Sequence, residues 1–76
     1  MDYRHVFATN LRRLRTERGY SQEALAYEAG VNRTYMSKLE KGGSFVGLEV
    51  IMKLANVLQV EPADFLRVPP RRIRRT

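Results

Sequence analysis

Between positions 32 and 41, five side chains that donate hydrogen bonds or carry positive charge recur at a spacing that gathers them. At about 100° per residue, Arg33, Thr34, Ser37, Lys38 and Lys41 fall on one arc of a helix, opposite Met36 and Leu39. Arginine grips guanine O6 and N7 bidentately and lysine singly. Serine and threonine hydroxyls read either base type, and the threonine methyl can touch thymine. A helix with that face is narrow enough to enter the major groove of B-DNA, its N-terminus leading. An arbitrary amphipathic helix with the same residues would simply be solvated on that side, so the surroundings must decide.

Those surroundings make a rigid support. A short helix rich in small residues, with Leu25, Ala26 and Ala29 on its inner face, runs into Gly30 and Val31 with almost no loop before Asn32 caps the next helix. Gly30 permits the positive φ that so sharp a turn demands. Val31, Met36 and Leu39 fill the angle between the two helices, and the small alanines let them approach. Such a unit projects its second helix outward.

The rest of the chain reads as helices that hold this unit. Tyr3, Phe7, Leu11 and Leu14 recur at helical spacing before Gly19 stops the first segment, and Ser21 caps the second. Gly42 ends the third. Leu48, Ile51, Leu54, Ala55 and Leu58 mark a fourth, widened by Val50 and Val57. Pro62 suits the first position of a short fifth helix that buries Phe65 and Leu66. Pro69-Pro70 then breaks any helix, leaving Arg71 to Thr76 as an extended arm. The expectation is an all-α, compact five-helix domain over residues 1–68 with a basic Pro/Arg tail over 69–76.

Composition narrows the chemistry. The chain has 76 residues and a net charge of +6. Residues 1–66 carry nine Lys/Arg against eight Asp/Glu, so most of the excess sits in Arg67, Arg71, Arg72, Arg74 and Arg75. Composition alone would therefore describe a nearly neutral body with a basic tail. His5 is the single histidine and cysteine is absent, so neither a thiolate metal site nor a disulfide is available. No nucleophile–base pair, phosphate loop or metal-ligand spacing occurs, so an enzyme, a cofactor and a small-molecule ligand are not expected. No apolar run nears the roughly 20 residues that span a bilayer and nothing reads as a signal peptide, which makes the cytoplasm the expected address.

Residues 7–66 resemble the helix-turn-helix domain of the lambdoid phage repressor and Cro family, also called the Xre family. The likeness rests on Leu11-Arg12-Arg13-Leu14-Arg15, Gly19-Tyr20-Ser21-Gln22-Glu23, Leu25-Ala26, Gly30-Val31, Tyr35 through Gly42, and Leu54-Ala55 through Leu58. Within it, Asn32-Arg33-Thr34-Tyr35 is similar to the recognition segment of controller proteins from restriction–modification systems. The resemblance implies a five-helix lambda-repressor-like fold and base reading by Arg33, Thr34 and Lys38. It implies backbone or secondary DNA contacts from Ser21, Gln22, Asn32, Tyr35, Ser37 and Lys41. Arg15 and Glu40 match a charge pair that ties the first helix to the recognition helix. Two departures stand out: Ala24 occupies the place where a glutamate often completes a capping box, and the connector Gly43 to Gly47 lacks the common proline and polar cap.

One recognition helix reads too few base pairs to find a site in a genome, so such proteins bind as dimers to half-sites about one helical turn apart. Val50, Val57, Val60, Phe65, Leu66 and Val68 exceed what so thin a core needs and are the candidates for an isologous dimer face. The expected partners are double-stranded DNA, a second copy of the chain and, at a promoter, RNA polymerase, with no membrane involved. The tail would either add salt-sensitive contacts to phosphates or serve only as a disordered solubilising end. The alternative is a protein-interaction module of antitoxin or anti-regulator type that uses the same fold. Its binding face should carry apolar anchors, and the arc from Arg33 to Lys41 has none.

Overall fold

A computed structural model describes residues 2–68; the expected arm, 69–76, lies outside the described residues. Four α-helices follow one another: α1 (Tyr3–Glu17), α2 (Gln22–Ala29), α3 (Arg33–Glu40) and α4 (Leu48–Leu58). The expected fifth helix is instead a single 3₁₀ segment, Pro62–Leu66. Five residues opened by a proline leave little room for i→i−4 bonds. The Asp64 amide donates to the Glu61 carbonyl at 2.9 Å, closing the tighter turn. All-helical architecture holds, with that count corrected. No helix among the described residues is long and apolar enough to cross a membrane.

Each helix begins where a side-chain oxygen can satisfy its orphan amides, except α4. The Asp2 carboxylate accepts the Arg4 amide at 3.0 Å, and the hydrogen-bonded Arg4 guanidinium beside it holds that carboxyl down to about 2. The Ser21 hydroxyl accepts the Ala24 amide at 3.0 Å, and Asn32 Oδ1 accepts the Tyr35 amide at 3.1 Å. Gly47 heads α4 with no side-chain cap. At the far end of α4, Gln59 takes a left-handed φ of 58°, which few non-glycine residues adopt. Arg18 Nε donates to the Leu58 carbonyl there at 2.7 Å, satisfying an orphan acceptor and tying the end of α1 to the end of α4.

The core lies where the four helices meet. Phe7, Leu11 and Leu14 of α1 pack with Leu25 and Ala26 of α2, Met36 and Leu39 of α3, and Leu54 and Leu58 of α4. Phe65 closes it, with its ring centroid 5.2 Å from that of Phe7. Phe65 is therefore fully buried within one chain and cannot offer itself to a second copy, contrary to the expectation for that residue. Val50, Val57 and Val60 are half-buried and pack against the same core, so their surplus is largely internal. Leu66 and Val68 stay exposed.

Two buried polar side chains organise this small core, Asn10 and Glu40. Asn10 Nδ2 donates to the carbonyls of Phe65 and Arg67, at 2.8 and 3.0 Å, and so clamps the 3₁₀ segment to α1. Replacing it with alanine leaves a buried acceptor unpaired. Asn10→Ala should cost about 2 kcal/mol and lower the thermal midpoint; a midpoint equal to wild type would show that the clamp contributes nothing. Glu40, 3% exposed, receives Arg15 Nε at 2.5 Å and Arg15 Nη2 at 3.0 Å. Glu40→Ala strands the half-buried guanidinium and should destabilise by roughly 3 kcal/mol, read from chemical denaturation at constant m-value.

Candidate nucleic-acid interface

The turn between α2 and α3 sets the geometry of the exposed face. Gly30 adopts φ 69°, and the Val31 amide returns to the Ala26 carbonyl at 2.8 Å, so the chain changes direction within two residues. Leu25 and Ala26 below, with Met36 and Leu39 above, fix the crossing by burial. The outer side of α3 is left to solvent.

Five α3-arc side chains line one shallow concavity together with a sixth from α2: Gln22, Arg33, Thr34, Ser37, Lys38 and Lys41. The spacing argument placed five of these on one arc; the fold adds Gln22 beside them. Lys38 and Lys41 carry no carboxylate partner among the described residues, and Arg33 approaches Glu23 only at 3.9 Å. The concavity is thus lined by three cations, of which only Arg33 has a carboxylate within reach, together with hydroxyls and one amide. It suits a polyanion with donors and acceptors on its edge, and it holds no apolar anchor for a protein partner.

Glu40 organises this face from beneath. Its Oε1 accepts Gln22 Nε2 at 3.1 Å while both oxygens bind Arg15. Its backbone carbonyl accepts Arg12 Nη1. Glu40, at the end of α3, therefore fixes the first residue of α2 and Arg15 of α1 through its buried carboxylate, and Arg12 of α1 through its backbone carbonyl. Gln22 retains a second amide hydrogen for a ligand.

The remaining sequence candidates divide between support and exposure. The Ser21 hydroxyl oxygen and Asn32 Oδ1 both serve as caps, which leaves the Ser21 proton and the Asn32 amide hydrogens for outside partners. Tyr35 is half-buried against the core, and its hydroxyl donates to the Phe45 carbonyl at 2.9 Å. That bond braces the connector between α3 and α4, a role its even position between arc and core had left undecided.

Sequence reasoning missed Arg12, Arg18 and Asn10 as structural residues. A faint signal existed for Asn10, which interrupts an apolar stripe one residue before Leu11. Arg12 and Arg18 looked like ordinary solvated charges, because the carbonyls they bind lie 28 and 40 residues away.

Comparisons with known proteins agree with this geometry. A family profile described as a helix-turn-helix domain matches residues 6–68. A hypothetical transcription factor of Neisseria meningitidis is 38% identical over 73 residues, spanning 96% of this chain and 69% of its own. Control protein C.BamHI of Bacillus amyloliquefaciens is 39% identical over 64 residues, 83% of this chain and 79% of its own. Among solved structures, the restriction–modification controller protein C.AhdI of Aeromonas hydrophila superposes with a TM-score of 0.78 at 42% identity, covering 82% of this chain and 94% of that one. The protein belongs to the helix-turn-helix family, and its relatives include transcription factors and restriction–modification controller proteins.

Proposed function

We propose that the protein is a sequence-specific transcriptional regulator that binds palindromic operators in double-stranded DNA as a homodimer, with α3 in the major groove. The observation that carries this reading is the single concavity in which Arg33, Thr34, Ser37, Lys38 and Lys41 meet Gln22, on a helix braced from behind by Glu40. Family membership and the identities above support the same class of activity.

In this reading Arg33, Thr34 and Lys38 read base edges. Ser21 and Gln22, at the positive end of α2, hold a backbone phosphate. Asn32, Ser37 and Lys41 add secondary contacts, while Tyr35 acts chiefly through the connector it braces. Work at the chromosome places the protein in the cytoplasm, where the outcome at a promoter depends on where the operator lies relative to RNA polymerase. Both repression and activation of its own gene are compatible with a regulator of controller type.

Selection of bound duplexes from a random DNA library at physiological salt tests the proposal. It should return a two-fold symmetric motif; enrichment of no sequence, with binding that vanishes as salt rises, would reduce the activity to phosphate attraction. On the selected duplex, Arg33→Ala should cost roughly 1–3 kcal/mol and relax one position in each half-site. Lys41→Ala should instead weaken binding to all sequences alike and flatten the salt dependence by about one unit of slope per site. A salt slope unchanged in the Lys41 variant would remove that residue from the phosphate contacts.

A further inference from the structure

Where α3 ends, its last four carbonyls need donors from outside the helix. Three are met by the chain that follows: Ser37 by the Lys41 amide at 3.2 Å, Lys38 by the Gly43 amide at 2.9 Å and Leu39 by the Gly42 amide at 3.1 Å. The fourth, on Glu40, receives no backbone amide among the described residues. Arg12 Nη1 of α1 takes it instead.

That carbonyl is joined to a residue of the DNA-facing concavity. The C=O of Glu40 and the N–H of Lys41 belong to one planar peptide group, so a donor that holds the first orients the second. Lys41 is the residue at which α3 gives way to the connector, and its side chain lines the concavity. Immediately beyond it, Gly42 turns at φ 76°, and His5 of α1 stands so close that a Cβ there would meet its Nδ1 at 3.2 Å. Residues 5 and 12 are about two turns apart on one face of α1. One helix therefore bounds Lys41 on both sides.

We propose that Arg12 is a positioning residue for DNA binding: through the Glu40 carbonyl it sets the backbone from which Lys41 reaches a phosphate. The proposal rests on the reading of α3 as the DNA-contacting helix and adds to it a residue from α1. At Glu40 the two arginines divide the task. Arg15 takes the carboxylate, which also holds Gln22, and Arg12 takes the main-chain carbonyl, which leads to Lys41. A guanidinium suits the place for a second reason, since the C-terminal end of a helix is its negative pole. Arg12 meets no carboxylate among the described residues, so no ion pair draws it away.

The competing use of Arg12 is a phosphate contact of its own. It is exposed, it lines a shallow depression on α1 with Thr9 and Thr16, and a guanidinium with one N–H committed keeps others free. The two uses differ in how the loss of Arg12 combines with the loss of Lys41.

A double-mutant cycle on the selected duplex tests the proposal, with affinity measured over a salt series where circular dichroism shows each variant folded. Lys41→Ala and Arg12→Ala should each weaken binding roughly tenfold and lower the salt slope by about one unit per site. The double variant should lose no more than either single one, because Arg12 acts through Lys41. Arg12→Lys, which keeps a donor for the carbonyl, should recover most of the affinity. Losses that add, with a slope that falls twice as far in the double variant, overturn the positioning role and make Arg12 a phosphate contact. Arg12→Ala with wild-type affinity and slope, beside a weakened Lys41→Ala, overturns this proposal and leaves the DNA reading intact. A Lys41→Ala variant that binds like wild type removes Lys41 from the contacts, and the role of Arg12 falls with it. A wild type that binds no duplex overturns the regulator reading and this proposal together. If Arg12→Ala fails to fold, Arg12→Met, which keeps the stem and removes the donors, carries the same comparison.

Discussion

The carboxylate of Glu40 sits at the end of α3 with almost no access to water, and a charge in that position is tolerable only when its partners surround it. Arg15 supplies two donors and Gln22 a third. Those partners come from different helices, so the electrostatic need of one buried group sets how α1, α2 and α3 lie against one another. A hydrophobic side chain of similar volume could fill the space with comparable or greater stability, because desolvation of an ion pair offsets much of its attraction. What it could not do is hold Gln22 by a directional bond at the edge of the concavity. The ion pair is therefore best understood as an orienting device whose stability contribution is secondary.

A second polar contact plays the corresponding part at the other end of the molecule. The 3₁₀ segment is too short to be stable alone, and helix cooperativity offers it nothing. Its stability comes from Phe65 packed on Phe7 and from Asn10 holding two of its carbonyls. A chain of this length buries a modest fraction of its surface, and specific polar clamps compensate by reducing the number of ways a thin core can pack. With Arg18 on the end of α4, α1 becomes the spine to which the other elements are tied.

The surface divides along the same lines. On one side Lys38 and Lys41 stand beside Arg33 without a carboxylate partner among the described residues, and the other side gathers apolar side chains among ion pairs. The two are linked through Tyr35, which reaches from α3 to the connector bearing Phe45.

Local signals wrote much of this into the sequence. The caps Ser21 and Asn32, the stops at Gly19, Gly30 and Gly42, and apolar periodicity placed the four α-helices, because helix ends and amphipathic faces depend on residues only a few positions apart. The arc from Arg33 to Lys41 was legible for the same reason, since a helix gathers residues at fixed spacing. The pairing of Arg15 with Glu40 came from a family likeness, and the spacing of the two residues alone would not have shown it. Tertiary structure alone decided the rest. It turned the expected fifth helix into a 3₁₀ segment, buried Phe65, half-covered Val50, Val57 and Val60, and left Leu48, Met52 and Phe45 bare. It also gave Asn10, Arg12 and Arg18 their roles. Which edge of an amphipathic helix stays exposed depends on neighbours tens of residues away, and an apolar side chain carries no local mark of the surface it will meet.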